Sequence, residues 1–502
     1  MDPLTEISSV LAPEIIVLLG ILISLAMSLF NSSKKYVIGF ATLVLGLATC
    51  ASAQLFFVGG QNKLILFDSF NHDALSIYFR FLIYFVTMLI VLGSKEYLKQ
   101  LESPAEYYPI MLTAALGAGF LVSANDFLLF FVALETLGLS AILLASYARL
   151  NQGSNEAGIK YLINSAVATA ILLLGISMIY GLTASTNFQM VSNRMAGFAS
   201  AGLISPALLS LISVSIVAAL GFKLAAAPFH NWSPDVYTGG PTTTTVFLSV
   251  VSKAAAIGLA IRLFGYVFFT GSVASLLAIL AALSIIVGNY VGLIQMVSRG
   301  SAKRLLAYSS IAQAGYLLIG LVVFDMDSVM SLIAYLSVYA LMNTGAFLGL
   351  IYFEQKTGSD AIFDMAGLIT KRPWVAIATS LCLINLAGLP FIPAGFIAKF
   401  YLFSSAYKSN LMLLGINVGF WLALIGLLGS LVGLFYYLYL VKVMVVNEPS
   451  TAVSQLEEKD SSFDYSRLAL SMSVVLMTGL GIWGMNGLFQ DIIGEILQSL
   501  GG

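Results

Sequence analysis

The sequence predicts an all-α polytopic membrane protein of about fourteen transmembrane helices, with two inverted five-helix repeats. Three observations carry this prediction: the composition, the recurrence of long apolar runs, and helix breakers inside two of those runs. Of 502 residues, 59% are hydrophobic and 9% are charged, whereas a soluble domain carries about 25% charged residues. A soluble globule is therefore excluded. The unbroken apolar runs exclude a β-barrel, whose strands alternate in polarity, and the net charge of −1 offers no basic face for nucleic acid.

The apolar runs are each about 20 residues long, the length that crosses the hydrocarbon core as a helix. They recur from Leu11 nearly to the C-terminus. The predicted spans are 11–30, 36–58, 74–94, 106–124, 126–147, 158–182, 206–226, 243–264, 272–297, 304–324, 328–353, 374–404, 412–445 and 466–487.

Lysine and arginine are distributed unevenly between the loops that connect these spans. The loops after even-numbered spans hold only Lys63, Arg194 and Lys408, and those after odd-numbered spans hold nearly all the others. Because basic residues are retained on the cytoplasmic side, we expect the odd-numbered loops to be cytoplasmic and both termini to lie on the outer side.

Two spans carry helix breakers at membrane depth. The seventh runs into AAPFHNWSPDVYTGGP and the twelfth is interrupted by GLPFIP. Proline removes a backbone hydrogen bond and clashes with the preceding turn, so these helices should be discontinuous and should border protein or water. Paired broken helices indicate an inverted repeat, which we place at spans four to eight and nine to thirteen. The breakers are Pro228, Pro234, Pro241, Gly388, Pro390 and Pro393.

This pattern divides the chain into four segments. Residues 1–105 are expected to form an N-terminal three-helix segment, 106–265 the first repeat and 270–446 the second repeat. Residues 447–502 hold a polar linker and a C-terminal helix.

Four charged residues lie deep in apolar sequence: Glu135, Lys223, Lys253 and Lys399. A charge at the bilayer centre costs ~2.5–3.5 kcal/mol on insertion scales, so such residues mark an ion or substrate path. Two of the lysines also lie beside the breakers. We therefore predict that the protein conducts charge.

These residues also have structural interpretations. Glu135 and Lys223 could form a static tie between helices. Lys253 could direct its ammonium to the membrane surface, although about ten residues separate it from either end of its span. His230, the histidine nearest a broken helix, could relay protons or could bond the backbone of its own loop. Lys399 lies closer to a helix end.

Charges near the helix ends have simpler explanations. Glu156 and Lys160 lie four residues apart, which predicts a local ion pair at a helix start. Lys303 and Arg304 open the tenth span, where the cytoplasmic location of basic residues explains them.

Several stretches resemble the antiporter-like N subunit of respiratory complex I, called NuoN in bacteria and NdhB in cyanobacteria and chloroplasts. GFKLAAAPFHNWSPDVYTGGPTTTTVFLSVVSKAA, from Gly221 to Ala255, is similar to the family's central signature almost without gaps. LETLGLSAILLASY, SNEAGIKYLINSA, SAKRLLAYSSIAQAGYLLIG and GFIAKFYLF are similar to further stretches in family order. The resemblance reaches from about Leu134 to Phe403.

The resemblance implies a membrane-arm subunit that moves protons while partner subunits oxidise a donor and reduce quinone. The family's functional positions fall on Glu135, Lys223, Lys253 and Lys399. The implied role is a non-redox subunit of a proton-translocating NAD(P)H- or ferredoxin:quinone oxidoreductase, with quinone, FMN and iron–sulfur clusters in partner subunits and no cofactor on this chain. The implied partners are M-, K-, J- and A-type membrane subunits, the quinone-reducing peripheral arm and lipid. The implied location is the inner (plasma) or thylakoid membrane.

We expect a relay in the order Glu135–Lys223, Lys253, Lys399, with water and hydroxyl groups between. A neighbouring carboxylate favours the charged form of a lysine. Lys223 should therefore hold its proton beside Glu135 and release it when the two separate.

The sequence departs from the family pattern in three places, with Ala398 where glycine usually precedes the lysine, Thr238 where an acidic or amide residue is usual, and Thr243 in place of a common proline.

Two other functions stay open. Subunits of Mrp-type cation/proton antiporters or membrane-bound hydrogenases also carry broken-helix lysines, but usually have a histidine-rich alanine stretch that TTTTVFLSVVSKAA lacks. A stand-alone transporter or scaffold is the third, although a scaffold would not need four buried charges.

Overall fold

The protein is described by a computed structural model over residues 3–30, 36–57, 62–101, 103–265, 271–298, 300–390, 393–413, 415–456, 464–481 and 494. The first half contains α1 (Pro3–Val10), α2 (Ala12–Leu29), α3 (Val37–Phe57), α4 (Ala74–Gly93), α5 (Lys95–Leu98), α6 (Pro104–Ser123), α7 (Phe127–Ala145), α8 (Gln152–Thr183), α9 (Phe188–Ser200), α10 (Pro206–Leu224), α11 (Trp232–Gly239), α12 (Thr242–Ser249) and α13 (Val251–Leu263). The second half contains α14 (Gly271–Val297), α15 (Ala302–Val323), α16 (Met326–Thr357), a 3-10 turn (Ile362–Met365), α17 (Leu368–Lys371), α18 (Pro373–Ala387), α19 (Pro393–Lys408), α20 (Val418–Val445), α21 (Thr451–Ser454) and α22 (Tyr465–Gly479).

Twelve of the fourteen predicted spans correspond to helices that are long and apolar enough to cross a membrane, which confirms a multi-pass helical protein. The predicted twelfth span is divided between α18 and α19. The predicted fourteenth span begins as α22, and its end lies outside the described residues. The total of fourteen spans, the inverted repeat and the four-segment division stay predictions.

Two short antiparallel hairpins accompany the helices, and the sequence analysis did not predict them. Strands β1 (Lys63–Ile65) and β2 (Phe70–His72) pair before α4, and β3 (Met412–Leu413) and β4 (Ile416–Asn417) pair between α19 and α20. Both hairpins lie in connections between membrane helices.

The seventh span is interrupted, as the prolines predict. Helix α10 ends at Leu224, where Ala225 takes a left-handed conformation, and Pro228 lies in the connection to α11. Pro234 is the third residue of α11, where the missing N–H costs nothing because the first amides of a helix have no intrahelical partner. Helix α11 ends at Gly239, and Pro241 immediately precedes α12.

The twelfth span is interrupted in the same way. Helix α18 ends at Ala387 and Gly388 adopts φ +81°, a left-handed conformation that glycine takes at little cost. Helix α19 begins at Pro393. Phe391 and Ile392 of the GLPFIP motif lie outside the described residues.

A third interruption lies in the predicted eighth span, which the sequence analysis took as one continuous helix. Val250 has φ −117° and ψ −66°, and it separates α12 from α13. The side chains of α16 fill this interruption, because Tyr339 donates its hydroxyl to the Ser249 carbonyl (2.9 Å) and Asn343 Nδ2 donates to Ser249 Oγ (2.9 Å). Lys253 therefore lies one turn after a helix break.

Candidate functional site

Lys399 lies with its ammonium against the C-terminal end of α18. Its Nζ donates to the carbonyl of Leu386 (2.7 Å), to that of Ala387 (3.3 Å) and to Ser430 Oγ (3.0 Å). The end of a helix carries about half a negative charge on its unpaired carbonyls, so the break in the twelfth span supplies the compensation for this buried cation. The Tyr316 ring lies 5.2 Å from the ammonium and adds a cation–π contact.

Lys253 is held by α15. Its side chain is 1% exposed, and its Nζ donates to Ser310 Oγ (2.7 Å) and to the Ser310 carbonyl (2.5 Å) on α15. This geometry excludes the alternative in which the lysine reaches the membrane surface. Within the described part of the chain, no carboxylate lies within 4.0 Å of either Lys253 or Lys399.

A ladder of polar side chains on one face of α15 lies between these two lysines. Ser310 contacts Lys253, and Tyr316 lies under Lys399. Between them, Gln313 Nε2 donates to Tyr437 OH (3.1 Å) and, over 3.5 Å, to the Leu386 carbonyl that also accepts from Lys399. The spacing of three residues places all three on one helix face. The sequence alone gives no signal for Gln313, whose partners lie on other helices.

Two tyrosines of the neighbouring helix α16 complete the ladder. Tyr335 donates its hydroxyl to Gln313 Oε1. Tyr339 OH lies 3.3 Å from Ser310 Oγ. Ser310 and Tyr339 therefore lie at the Lys253 end of the ladder, and Gln313 shares the Leu386 carbonyl with Lys399 at the other end. Among the described residues, no direct hydrogen bond joins Ser310 to Gln313.

Lys223 and Glu135 are near each other without forming the predicted ion pair. Glu135 lies within electrostatic reach of Lys223, but its Oε1 accepts a hydrogen bond from Thr169 Oγ1 (2.7 Å) on α8. A Cβ at Gly138, one turn along α7 from Glu135, would lie 3.9 Å from both Lys223 Nζ and Ser165 Oγ. Lys223 thus faces α7 and α8, 6% exposed, and among the residues that the structure describes it has no hydrogen-bond partner.

Four buried polar atoms on α8, on α11 and in the connection between α10 and α11 have no hydrogen bond of good geometry among the described residues, although Tyr237 lies close to the Ser310 hydroxyl. They are Tyr161 OH, His230 Nδ1, Ser233 Oγ and Tyr237 OH. Tyr237 is within electrostatic reach of Tyr161 on one side and of Tyr339 on the other. Unpaired buried polar atoms are costly unless water satisfies them, so this group marks a place for ordered water.

His230 lies in the connection between α10 and α11 and is half-buried. The imidazole interacts with the Pro228 backbone of its own loop, which favours the structural interpretation, whereas its Nδ1 has no hydrogen bond of good geometry among the described residues. A relay role for His230 stays a prediction.

The charges near the helix ends are joined in networks larger than the sequence predicts. Lys160 Nζ contacts Glu156 (2.6 Å), the predicted pair, and also Asp235 (2.7 Å) of α11. Asp235 in turn contacts Arg304 (3.1 Å) of α15. The first interrupted helix is therefore clamped between α8 and the second half of the chain.

The adjacent Lys303 belongs to a second network. Its Nζ lies 3.2 Å from Glu354 Oε1 and 3.8 Å from Asp360 Oδ2. Glu354 also accepts from Thr242 Oγ1 and from Tyr97 OH (3.4 Å). Lys303 and Arg304 thus form ion pairs with other helices, in addition to the cytoplasmic location that their charge predicts.

A separate buried cluster, missed by the sequence analysis, joins the N-terminal helices to α13. Asp73 accepts two 2.8 Å hydrogen bonds from Arg262. Burial would raise the pKa of Asp73, but the Arg262 charge and hydrogen bonds hold it below its usual value. Arg80 contacts Glu14 (3.1 Å) and donates to His72 Nδ1 (2.9 Å).

His72 is neutral in this cluster. Arginine only donates hydrogen bonds, so the accepting His72 Nδ1 carries no proton. Burial, followed by the Arg80 charge, lowers the pKa of His72 from 6.5 to about 4. All the charged members of this cluster are almost fully buried.

Lys223, Lys253 and Lys399 are thus buried beside polar groups inside a helical membrane protein, and Glu135 lies near Lys223. A family model described as NADH:quinone oxidoreductase/Mrp antiporter, transmembrane, matches residues 124–426. The chain belongs to this family. The match includes Glu135, Lys223, Lys253 and Lys399, and it runs from the start of α7 into α20.

Relatives in this antiporter family match nearly the whole chain. NAD(P)H-quinone oxidoreductase subunit 2, chloroplastic, of Mesostigma viride is 38% identical over 98% of this chain and 96% of its own length. NAD(P)H-quinone oxidoreductase subunit 2 of Gloeobacter violaceus is 39% identical over 89% and 84%, respectively. A chain of respiratory complex I from Thermus thermophilus, solved with bound aureothin, is 28% identical with a TM-score of 0.75, over 95% of this chain and 98% of that one. The protein is therefore an antiporter-like membrane subunit of the complex I type.

Proposed function

We propose that the protein is the N-type subunit of a complex I-type NAD(P)H- or ferredoxin:quinone oxidoreductase and that it translocates protons through Glu135, Lys223, Lys253 and Lys399. The observation that carries the proposal is the polar path between the lysines, which includes the α15 ladder. Buried charges are expensive in a membrane, and a continuous series of hydrogen-bonding groups beside them is what a proton route requires.

The proposed route begins at Glu135 and Lys223. The carboxylate has two alternative partners, Thr169 in this structure and Lys223 nearby. When Glu135 turns to Thr169, Lys223 loses its counter-charge and releases its proton. Water at the unpaired atoms of Tyr161 and Tyr237 carries the proton toward Lys253.

The route continues along α15. Lys253 donates to Ser310, and Gln313, one turn further along α15, shares the Leu386 carbonyl with Lys399. Water is the proposed bridge between Ser310 and Gln313. Carrying one charge against 100 mV costs about 2.3 kcal/mol. A change of about two pKa units at one lysine, at 1.36 kcal/mol each, is sufficient for that step.

Partner subunits supply the redox chemistry in this proposal. The electron donor site, FMN, the iron–sulfur clusters and quinone belong to them, and M-, K-, J- and A-type subunits are the proposed membrane neighbours. Glu135 and Thr169 are only partly buried at the middle of their helices, and a carboxylate is not left facing lipid. A neighbouring subunit is the proposed cover for this face. Both termini are proposed to lie on the outer side of a plasma or thylakoid membrane.

An Mrp-type cation/proton antiporter subunit is the second candidate, because the matching family model describes both classes. The similarity to quinone oxidoreductase subunits over nearly the whole chain supports the first. Copurification separates the two: quinone-reductase partners support the proposal, and cation-antiporter partners contradict it.

The deciding experiment replaces Lys253 by alanine in the intact complex in membrane vesicles. Quinone reduction and proton uptake should fall together, because a blocked proton step stalls the electron step in a coupled machine. Lys99→Ala is the matched control, since Lys99 is 58% exposed and pairs with nearby Glu96, and it should behave as wild type. Normal turnover with normal pumping in Lys253→Ala would refute the proposal.

A further inference from the structure

A cavity of about 530 Å³ lies between α19 and α20, beside Lys399. Its walls are almost entirely apolar, and they include Phe400 and Tyr407 on α19 and Phe420 and Leu427 on α20. These four side chains are 41–58% exposed, so the cavity opens on the outer surface of the helices. A cavity of this volume with apolar walls and few polar groups is typical of a site for a small amphiphilic molecule.

Along α19 the cavity extends from Phe396 to Tyr407. At 1.5 Å per residue this is about 16 Å, about half of the ~30 Å hydrocarbon core. Tyr407 and Trp421 are exposed aromatic residues at the ends of their helices, the position of an aromatic belt at the membrane surface. The cavity therefore covers the depth of one lipid leaflet.

The charge around this cavity has one sign. From Met365 to Asn447 the chain carries no aspartate or glutamate, whereas it carries Lys399, Lys408 and other basic residues. Lys408 is exposed at the last turn of α19, next to Tyr407. Within the described ranges it makes no ion pair. A cation at the surface end of an apolar groove is complementary to an anionic head attached to an apolar chain.

We propose that this groove binds one anionic phospholipid, with the phosphate at Lys408 and one acyl chain lying between α19 and α20 as far as Lys399. The bound chain excludes water from the lipid side of Lys399 and so confines proton exchange of that residue to the interior path. The binding site stands independently of the proton route, because it is measured without turnover.

The test uses the intact complex containing this chain, exchanged into phosphatidylglycerol or phosphatidylcholine nanodiscs and examined by native mass spectrometry for lipid that survives delipidation. The wild type should retain one more phosphatidylglycerol than Leu427→Trp, whose indole fills the groove. Leu428→Trp is the matched control: Leu428 is 52% exposed, against 53% for Leu427, and does not line the cavity. It should retain lipid as the wild type does. If Leu427→Trp fails to assemble, Leu431→Trp, on the same wall and 52% exposed, replaces it.

Lys408→Gln tests the headgroup. Removing one lysine near a membrane surface should lower the preference for phosphatidylglycerol over phosphatidylcholine about fivefold, with the acyl-chain site intact. Any of three results would overturn the proposal. The wild type and Leu427→Trp retain equal amounts of lipid, Leu427→Trp and the control Leu428→Trp both lose it, or the wild type binds phosphatidylcholine as well as phosphatidylglycerol.

Discussion

At the scale of single residues, the three buried lysines are accommodated in three different ways. Lys399 uses the carbonyl end of a helix, Lys253 uses a serine hydroxyl and carbonyl, and Lys223 has electrostatic contact with Glu135 without a hydrogen bond. The number of fixed partners therefore differs between them. Lys223, which has the fewest fixed partners, is the one placed to change its charge most easily.

Lys223 should be needed for pumping, whereas folding should need only its volume. Lys223→Ala is expected to assemble and to lose most proton translocation per electron. Lys223→Arg should not restore it, because arginine does not release its proton in proteins. Glu135→Gln should act in the same direction. Proton uptake and quinone reduction in membrane vesicles measure both effects, and a wild-type ratio of protons to electrons in Lys223→Ala contradicts the role.

Thr169 should act as a positioning residue for Glu135. Thr169→Val removes the 2.7 Å hydrogen bond with little change in shape. Hydrogen bonds to charged groups contribute about 1.5–3 kcal/mol, so Glu135 should shift toward Lys223 and proton translocation should slow about tenfold or more. Thr169→Ser keeps the hydroxyl and should behave as wild type. The carboxylate band of Glu135 in infrared difference spectra should shift only in the valine variant; an unchanged band would assign Thr169 a packing role.

At the scale of elements, helix interruptions place the polar groups. Each of the three interruptions lies within a few residues of a buried lysine, and α15, which is continuous, passes between two of those lysines. Interrupted helices supply unpaired backbone groups, and the continuous helix supplies a fixed spacing of side chains. The polar path needs both kinds of element.

Gln313 should be the most sensitive position on α15. Gln313→Leu keeps the volume but removes the contacts to Tyr335, Tyr437 and the Leu386 carbonyl. Turnover and pumping should fall together by about tenfold, because Lys253 and Lys399 lose their connection. Thr87→Val is the control, since Thr87 is also fully buried and donates to the Ile83 carbonyl of its own helix, away from this ladder. Assembly measured by native electrophoresis separates a folding defect from a transport defect, and full pumping by assembled Gln313→Leu would remove the ladder from the route.

The sequence predicts those features whose cause lies within a short stretch of chain. A lysine inside an apolar run and a proline or glycine inside a helix are visible directly, so Lys399 and the break at Gly388 could both be predicted. The interruption at Val250 could not, because its stabilising partner Tyr339 lies 90 residues from Ser249. The expected Glu135–Lys223 ion pair is wrong in this structure for the same reason, since Thr169 of another helix occupies the carboxylate.

At the scale of the whole molecule, buried ion pairs join units that the sequence treats separately. Asp73 and Arg262 connect the N-terminal helices to α13, and both are fully buried. Breaking such a pair on one side costs about 3–5 kcal/mol. The N-terminal helices are therefore fixed to α13.

His72 should make the stability of this junction depend on pH. Its pKa is about 4 in the folded protein and 6.5 in the unfolded chain. As the pH falls below 6.5, the unfolded chain binds a proton that the folded protein does not, so stability should decline until about pH 4, by roughly 3 kcal/mol in all. The thermal unfolding midpoint of the purified complex should fall less between pH 7 and 4.5 in His72→Gln. Parallel curves for wild type and variant would show that His72 does not titrate in this way.

The carbonyls of Leu386 and Ala387 compensate the charge of Lys399, and this affects which mutations can reveal its partner. Their charge belongs to the peptide main chain, so almost any amino acid at those two positions supplies it equally well. Alanine scanning of the acidic residues that the structure describes in the second half of the chain will find no partner for Lys399, and the sequence at 386 and 387 can change without loss of the carbonyl charge. The counter-charge of Lys399 depends on where α18 ends, so only a change that moves this helix end can remove it.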